Sequence, residues 1–294
     1  MGSNKIEMTS RPKVTFLSKE HISCPICETK IYKENLMTGS GRLIAGDITT
    51  LLHRTFKPSQ NYGKIYPLVY HIIVCPNCFF ASLPADFNKV IPNKIEFLAK
   101  TKNDRIDIAQ KMVGENVDFS IYRTLYSGAA SYILAAICYD YISKKCTPIL
   151  KQAICSMRAG FLFEDLDKEK PFEYFDFLAE LCYRKALFFY NRALELDMKK
   201  EQLIENVSIL GPDIDKDYGY DGILYLINAL RFEYGDKSNV NKRINDLEDT
   251  KAGFGKLFGM GKANVNKPKE ILEKSKNFYE LVSKELKELK GETD

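Results

Sequence analysis

The chain has 294 residues, 45% of them hydrophobic and 28% charged, with a formal net charge of +4. That balance is ordinary for a globular chain and excludes disorder, and the length leaves room for two domains and a sizeable core. The mild positive charge falls short of the dense basic patch of a committed nucleic-acid binder. The longest apolar run, 129–142, is broken by Ser131, Tyr139 and Asp140 and does not reach the ~18 residues of a membrane span. No basic-then-apolar leader precedes the first cysteine, so a cytoplasmic protein without a membrane span is expected.

Residues 10–34 alternate modestly, with Val14, Phe16, Ile22, Ile31 and Tyr32 in a pattern of short strands around Cys24-Pro25-Ile26-Cys27. Gly39-Ser40-Gly41 reads as a loop, and 47–56 fits a helical turn or a strand equally well. The run Ile65 to Val74, rich in β-branched and aromatic residues, predicts a strand leading into Cys75-Pro76-Asn77-Cys78.

From Asn93 onward the pattern becomes helical. Helices are predicted over 93–112, from a cap at Ser120 through Tyr139, from Thr147-Pro148 through Phe161, and after Pro171 through Leu196. Another covers 222–232, and an amphipathic helix closes the chain over 267–290. The Gly- and Lys-rich stretch 252–267 between the last two reads as a mobile connector. The fold class expected is α+β, with a zinc-ribbon-like β module over 1–90 followed by an all-α, tetratricopeptide-like region over 91–250. A linker over 251–268 and a C-terminal helix over 269–294 complete the expected division.

Two matched Cys-Pro-x-Cys knuckles carry the strongest chemical signal. Each spacing lets two thiolates point at one ion, and zinc takes four such ligands at about 2.3 Å in a tetrahedron. Cys24, Cys27, Cys75 and Cys78 are therefore the candidate metal ligands and Zn2+ the candidate cofactor, structural because four cysteines leave no open position for water. A thioredoxin-like redox pair and disulfides are the competing readings. The other cysteines, Cys138, Cys146, Cys155 and Cys182, lack paired spacing and read as small buried hydrophobes.

No catalytic or cofactor-binding residue is assigned. His21 and His71 lie close enough to the knuckles to serve as substitute ligands or to support the metal from behind, while His53 has no partner in the sequence. Residues 253–262 (GFGKLFGMGK) fail the phosphate-loop spacing. Arg42, Asp47, Arg54, Tyr62, Tyr66 and Tyr70 make either a small recognition face or an ordinary β-surface with an internal Arg–Asp pair. Asp213, Asp215 and Asp217 read as solvated loop residues.

The layout resembles a bacterial family known as domain of unknown function 2225. The resemblance is carried by Cys24-Pro25-Ile26-Cys27, Gly41-Arg42-Leu43 with Asp47, and Tyr66-Pro67-Leu68-Val69-Tyr70 leading into Cys75-Pro76-Asn77-Cys78. Ala135-Ala136-Ile137-Cys138-Tyr139, Leu224-Tyr225-Leu226-Ile227 and Gly235-Asp236 are similar to its tail. Glu28 and Phe79 stand where such knuckles often carry glycine. The resemblance implies zinc binding and an adaptor-like helical tail, and no reaction. The function expected is a zinc-binding adaptor or scaffold that takes a protein partner in a helical groove. The alternatives are a nucleic-acid-binding zinc ribbon and an enzyme with a pocket at the domain junction.

Overall fold

The computed structural model describes residues 14–114, 116–171, 173–259 and 268–291. Its first part is a set of four two-stranded antiparallel ladders. The outer pair β1 (Thr15–Leu17) and β4 (Glu34–Leu36) frames the hairpin of β2 (Ile22–Ser23) and β3 (Lys30–Ile31). Then β5 (Ile44–Ile48) pairs with β6 (Arg54–Lys57), and β7 (Ile73–Val74) with β8 (Ala81–Ser82). The ambiguous stretch 47–56 is thus resolved as the inner half of a hairpin. Two-residue strands bury little by themselves and need a further layer to cover them.

The expected strand over Ile65–Val74 is corrected. Pro67 opens a 3-10 turn over Pro67–Tyr70, and only Ile73–Val74 joins a ladder. Proline's fixed φ suits the first turn of a helix, and its missing N–H cannot serve a ladder. The apolar residues still turn inward: Leu68 and Val69 are buried.

Eight α-helices follow among the described residues: α1 (Ile95–Lys100), α2 (Lys102–Val113), α3 (Leu125–Cys138), α4 (Pro148–Glu169), α5 (Phe175–Met198), α6 (Gly219–Tyr234), α7 (Val240–Gly259) and α8 (Lys269–Lys290). The expected cap at Ser120 is corrected to Thr124. Thr124 accepts from the Ser127 amide while Ser127 Oγ accepts from the Thr124 amide, a reciprocal box that satisfies two helix-end donors. Ser120 is held instead by Asp118. From α2 onward each helix packs on the next, most extensively α4 on α5, followed equally by α3 on α4 and α7 on α8. With only residues 170–174 between them, α4 and α5 must run antiparallel. Against α3 the 3-10 turn comes so close that a Cβ on Gly128 would lie 2.7 Å from the Val69 side chain.

The expected connector is corrected over 252–259, which continues α7. Phe254 is fully buried and stacks on Phe278 of α8, with ring centroids 5.2 Å apart. Gly253 is there for closeness rather than mobility, since a Cβ would meet the Asn228 side chain at 2.4 Å. The remainder of the expected connector, 260–267, lies outside the described residues, as does the stretch before residue 14. One cluster of buried side chains runs from Cys24 and Ile31 through Phe80, Tyr132 and Phe161 to Leu286. The knuckles therefore share their core with the helices. No helix among the described residues is long and apolar enough to cross a membrane.

Candidate metal centre

The two knuckles are built to one plan. Residues 24–29 close the β2–β3 hairpin and residues 75–80 the β7–β8 hairpin. In the first, the Glu28 amide donates to Cys24 O at 2.9 Å and the Cys24 amide to Thr29 O at 3.0 Å. In the second, Phe79 donates to Cys75 O and Cys75 to Phe80 O, both at 2.9 Å. The residue after each second cysteine has left-handed backbone, with φ of 61° at Glu28 and 55° at Phe79. These are the positions where glycine is common in such turns, and the chain adopts the glycine conformation there without glycine, at a cost of about 1 kcal/mol each.

This geometry brings together residues from two distant hairpins. Cys24 Sγ lies 3.6 Å from Cys78 Sγ and Cys27 Sγ lies 3.5 Å from Cys75 Sγ. All four sulfurs fall within 4.8 Å of one another. A tetrahedron of sulfurs about 2.3 Å from a central ion has edges of about 3.8 Å, so the spacing suits a four-thiolate metal site. A disulfide needs about 2.05 Å, and all eight cysteines are free. Neither His21 nor His71 joins this group among the described residues.

The electrostatics point the same way. The Cys75 thiol is held down to about 2, chiefly by hydrogen bonds from Cys24 and then Cys78. Cys24 is pushed up to about 12, first by its bond to Cys75, with burial adding to it. Cys78 is pushed up as well, by Cys24, Cys75 and burial. Crowding thus holds one thiol down and pushes two of its neighbours up. Four thiolates this close need a positive charge among them.

The second knuckle is fastened to the helices by a residue with no signal in the sequence. Arg105 of α2 is buried, with Nε donating to Cys78 O at 3.0 Å, Nη2 to Leu98 O at 2.5 Å and Nη1 to Thr101 Oγ1 at 2.9 Å. Phe79 packs edge-on against Phe119, with centroids 4.9 Å apart. Lys102 Nζ donates to Asn77 Oδ1 at 2.9 Å. An arginine in an ordinary helical pattern looks solvated until the fold supplies the carbonyls around it. Three of the four unpaired cysteines fit the reading of small buried hydrophobes: burial pushes Cys138 up to about 11, and Cys155 and Cys182 up to about 12, whereas Cys146 is only partly buried.

Sequence reasoning also missed a polar centre. Asp213, read as solvated, is 1% exposed. Its Oδ2 lies 2.5 Å from His53 Nδ1 and accepts from the Arg54 amide at 2.7 Å, and its Oδ1 accepts from the Ile214 amide at 2.6 Å. The His53 ring stacks on Phe161 of α4 at 4.3 Å. The polar and aromatic group between the knuckles separates into unrelated contacts. Arg42 sits over the Tyr62 ring and Tyr66 donates to Glu169, while Arg54 pairs with Asp215 at 2.8 Å. Asp47 contributes only its carbonyl, to Thr55. The expected local Arg–Asp pair is therefore replaced by one spanning the β region and the loop before α6.

Fold and site together define an α+β protein whose two hairpin knuckles bring four thiols into a cluster that could hold a metal ion. The chain belongs to the family described as "Uncharacterized protein conserved in bacteria (DUF2225)", which matches residues 17–282. It is 42% identical over 278 residues to an "Uncharacterized protein" of Borreliella burgdorferi strain B31, covering 95% of this chain and 99% of that one. No solved structure matches it.

Proposed function

We propose that this protein is a zinc-binding adaptor in which a structural ion on Cys24, Cys27, Cys75 and Cys78 fixes the β region against a partner-binding helical region. The observation that carries the adaptor reading is an uncovered apolar stripe on α5. Phe177, Leu181 and Phe188 are 58%, 41% and 64% exposed. At about 100° per residue they lie within one 40° arc, and Tyr174, also exposed, lies just beside it. Aligned aromatic and aliphatic side chains of this kind mark a contact surface more often than a solvated face. Arg184 and Arg192 beside the stripe are paired with Glu180 and Glu195 of the same helix, so its rim is polar but largely self-neutralised, which suits the apolar face of an amphipathic partner helix. A tetratricopeptide-like stacking of the helix pairs belongs to the same proposal.

The zinc arm is tested by elemental analysis of the purified protein, which should give one zinc per chain. For the adaptor arm, a photo-crosslinking residue in place of Leu181 in the native host should capture a defined protein. The complex is then rebuilt from purified components. Phe177→Ser with Phe188→Ser should weaken it at least about tenfold while leaving thermal unfolding unchanged. An unchanged Kd in the rebuilt complex, or crosslinks only to further copies of the chain, would overturn the adaptor reading.

A further inference from the structure

A cavity of about 450 Å³ opens where the β region meets α4 and the loop that follows α5. That volume is in the range of small-molecule sites. At its inner wall lies Arg158 of α4, 5% exposed. The guanidinium donates from Nε to Pro212 O at 3.0 Å and from Nη2 to Asp213 O at 3.1 Å, and both acceptors are neutral carbonyls. The Asp213 carboxylate is turned instead to His53 and to the amides of Arg54 and Ile214. Among the described residues the guanidinium has no direct carboxylate partner, and a buried cation held by neutral acceptors is costly unless an anion beside it offsets that cost.

At the rim, Lys145 is exposed and its ammonium has no carboxylate partner among the described residues. The other lysine of the wall, Lys151, is already paired with Asp86 at 2.6 Å. The lining thus carries Lys145, Lys151 and Arg158 against a single carboxylate, with His71 kept neutral by burial, which pushes it down to about 4. The rest of the wall is largely apolar, from Ile154, Ile209 and Ile214. Ile209 is 57% exposed, and nothing among the described residues covers it.

We propose that this cavity binds a small organic anion, its carboxylate or phosphate head on Arg158 and Lys145 and its apolar body against Ile154, Ile209 and Ile214. Each half of the wall answers one half of such a ligand. The site is separate from both the cysteine cluster and the α5 stripe, so it stands or falls independently of the adaptor reading.

The test uses the full chain and the fluorescent organic anion 8-anilinonaphthalene-1-sulfonate. Saturable one-to-one binding is expected, displaced by octanoate or octyl phosphate but not by octanol or inorganic phosphate. The order of the two competitors identifies the head group. Lys145→Glu and Ile209→Asp, both at exposed positions, should each weaken binding about tenfold, while Phe188→Ser on α5 should leave it unchanged. Cys146, at the cavity wall, should be protected from alkylation by N-ethylmaleimide in the presence of octanoate, read by mass spectrometry. Displacement by octanol as good as by octanoate, binding unmoved by either cavity variant, or no saturable binding would each overturn the proposal.

Discussion

His53 Nδ1 and Asp213 Oδ2 lie 2.5 Å apart across 160 residues of sequence, joining the turn before β6 to the loop before α6. Burial alone raises the Asp213 pKa, but the bonds from His53 and from the amides of Ile214 and Arg54 outweigh it and leave the carboxyl below its ordinary value. A carboxyl with a lowered folded pKa contributes stability that is complete above its unfolded pKa, about 3.9. That contribution is lost as pH falls through the folded value. Asp213→Asn should therefore cost roughly 2–4 kcal/mol at pH 6–7 in urea unfolding, with the gap from wild type narrowing below about pH 4. A gap independent of pH would show that the charge plays no part.

Glu233 of α6 has the opposite sign. Burial, and then the nearby Glu164, push its carboxyl up to about 7. The folded state holds a proton that the unfolded state has released, so stability falls as pH rises from about 4.3 towards 7 and the penalty is constant above that. Glu233→Gln should match wild type near pH 4 and exceed it by about 1–2 kcal/mol at pH 8, the value being discounted for partial exposure. Equal stability at pH 8 would count against a buried charge there.

The two knuckles make a matched pair of substitutions. Glu28 is exposed, so Glu28→Gly removes left-handed strain and little else, and should change stability between neutral and about +1 kcal/mol. Phe79→Gly relieves the same strain but deletes a buried ring packed on Phe119. It should destabilise by about 2–4 kcal/mol. The comparison is made by denaturant unfolding in saturating zinc; similar effects at the two sites would mean that the packing of the Phe79 ring on Phe119 contributes nothing.

Metal removal gives the largest expected effect. Structural zinc in small fingers is worth about 10–16 kcal/mol, so chelation should abolish protection of the amides of 22–31 in hydrogen exchange. Cys27→Ser should lose the zinc, whereas Cys155→Ser, remote from the cluster, should keep it. Retention of stoichiometric zinc in Cys27→Ser would disprove the ligand set.

What the sequence made legible was local. The C-P-x-C spacing identified both knuckles because it is a complete instruction for a turn, and α3 to α6 and α8 were visible as periodic apolar faces, with Pro148 opening α4 and Pro171 preceding α5. What it hid was non-local. Ile65–Val74 has strand composition, but Pro67 and the approach to Gly128 turn it into a 3-10 segment. Residues 252–259 look like a linker because their glycines admit a neighbouring helix, which only the packing against Asn228 explains. Asp213 and Arg105 look solvated for the same reason: the groups that satisfy them come from far along the chain.

The knuckles are unequally anchored. The second is bolted to α1 and α2 through Arg105 and Lys102. Among the described residues, side chains of 22–31 form hydrogen-bonding contacts only with one another and with the sulfurs of Cys75 and Cys78. If the proposed ion is bound there, its loss would act unequally: the leading hairpin would keep only the packing of Cys24, Ile26 and Ile31 in the shared core, while its twin would also keep its bonds to α1 and α2. The four sulfurs would then serve the leading hairpin as a clasp that its twin does not need.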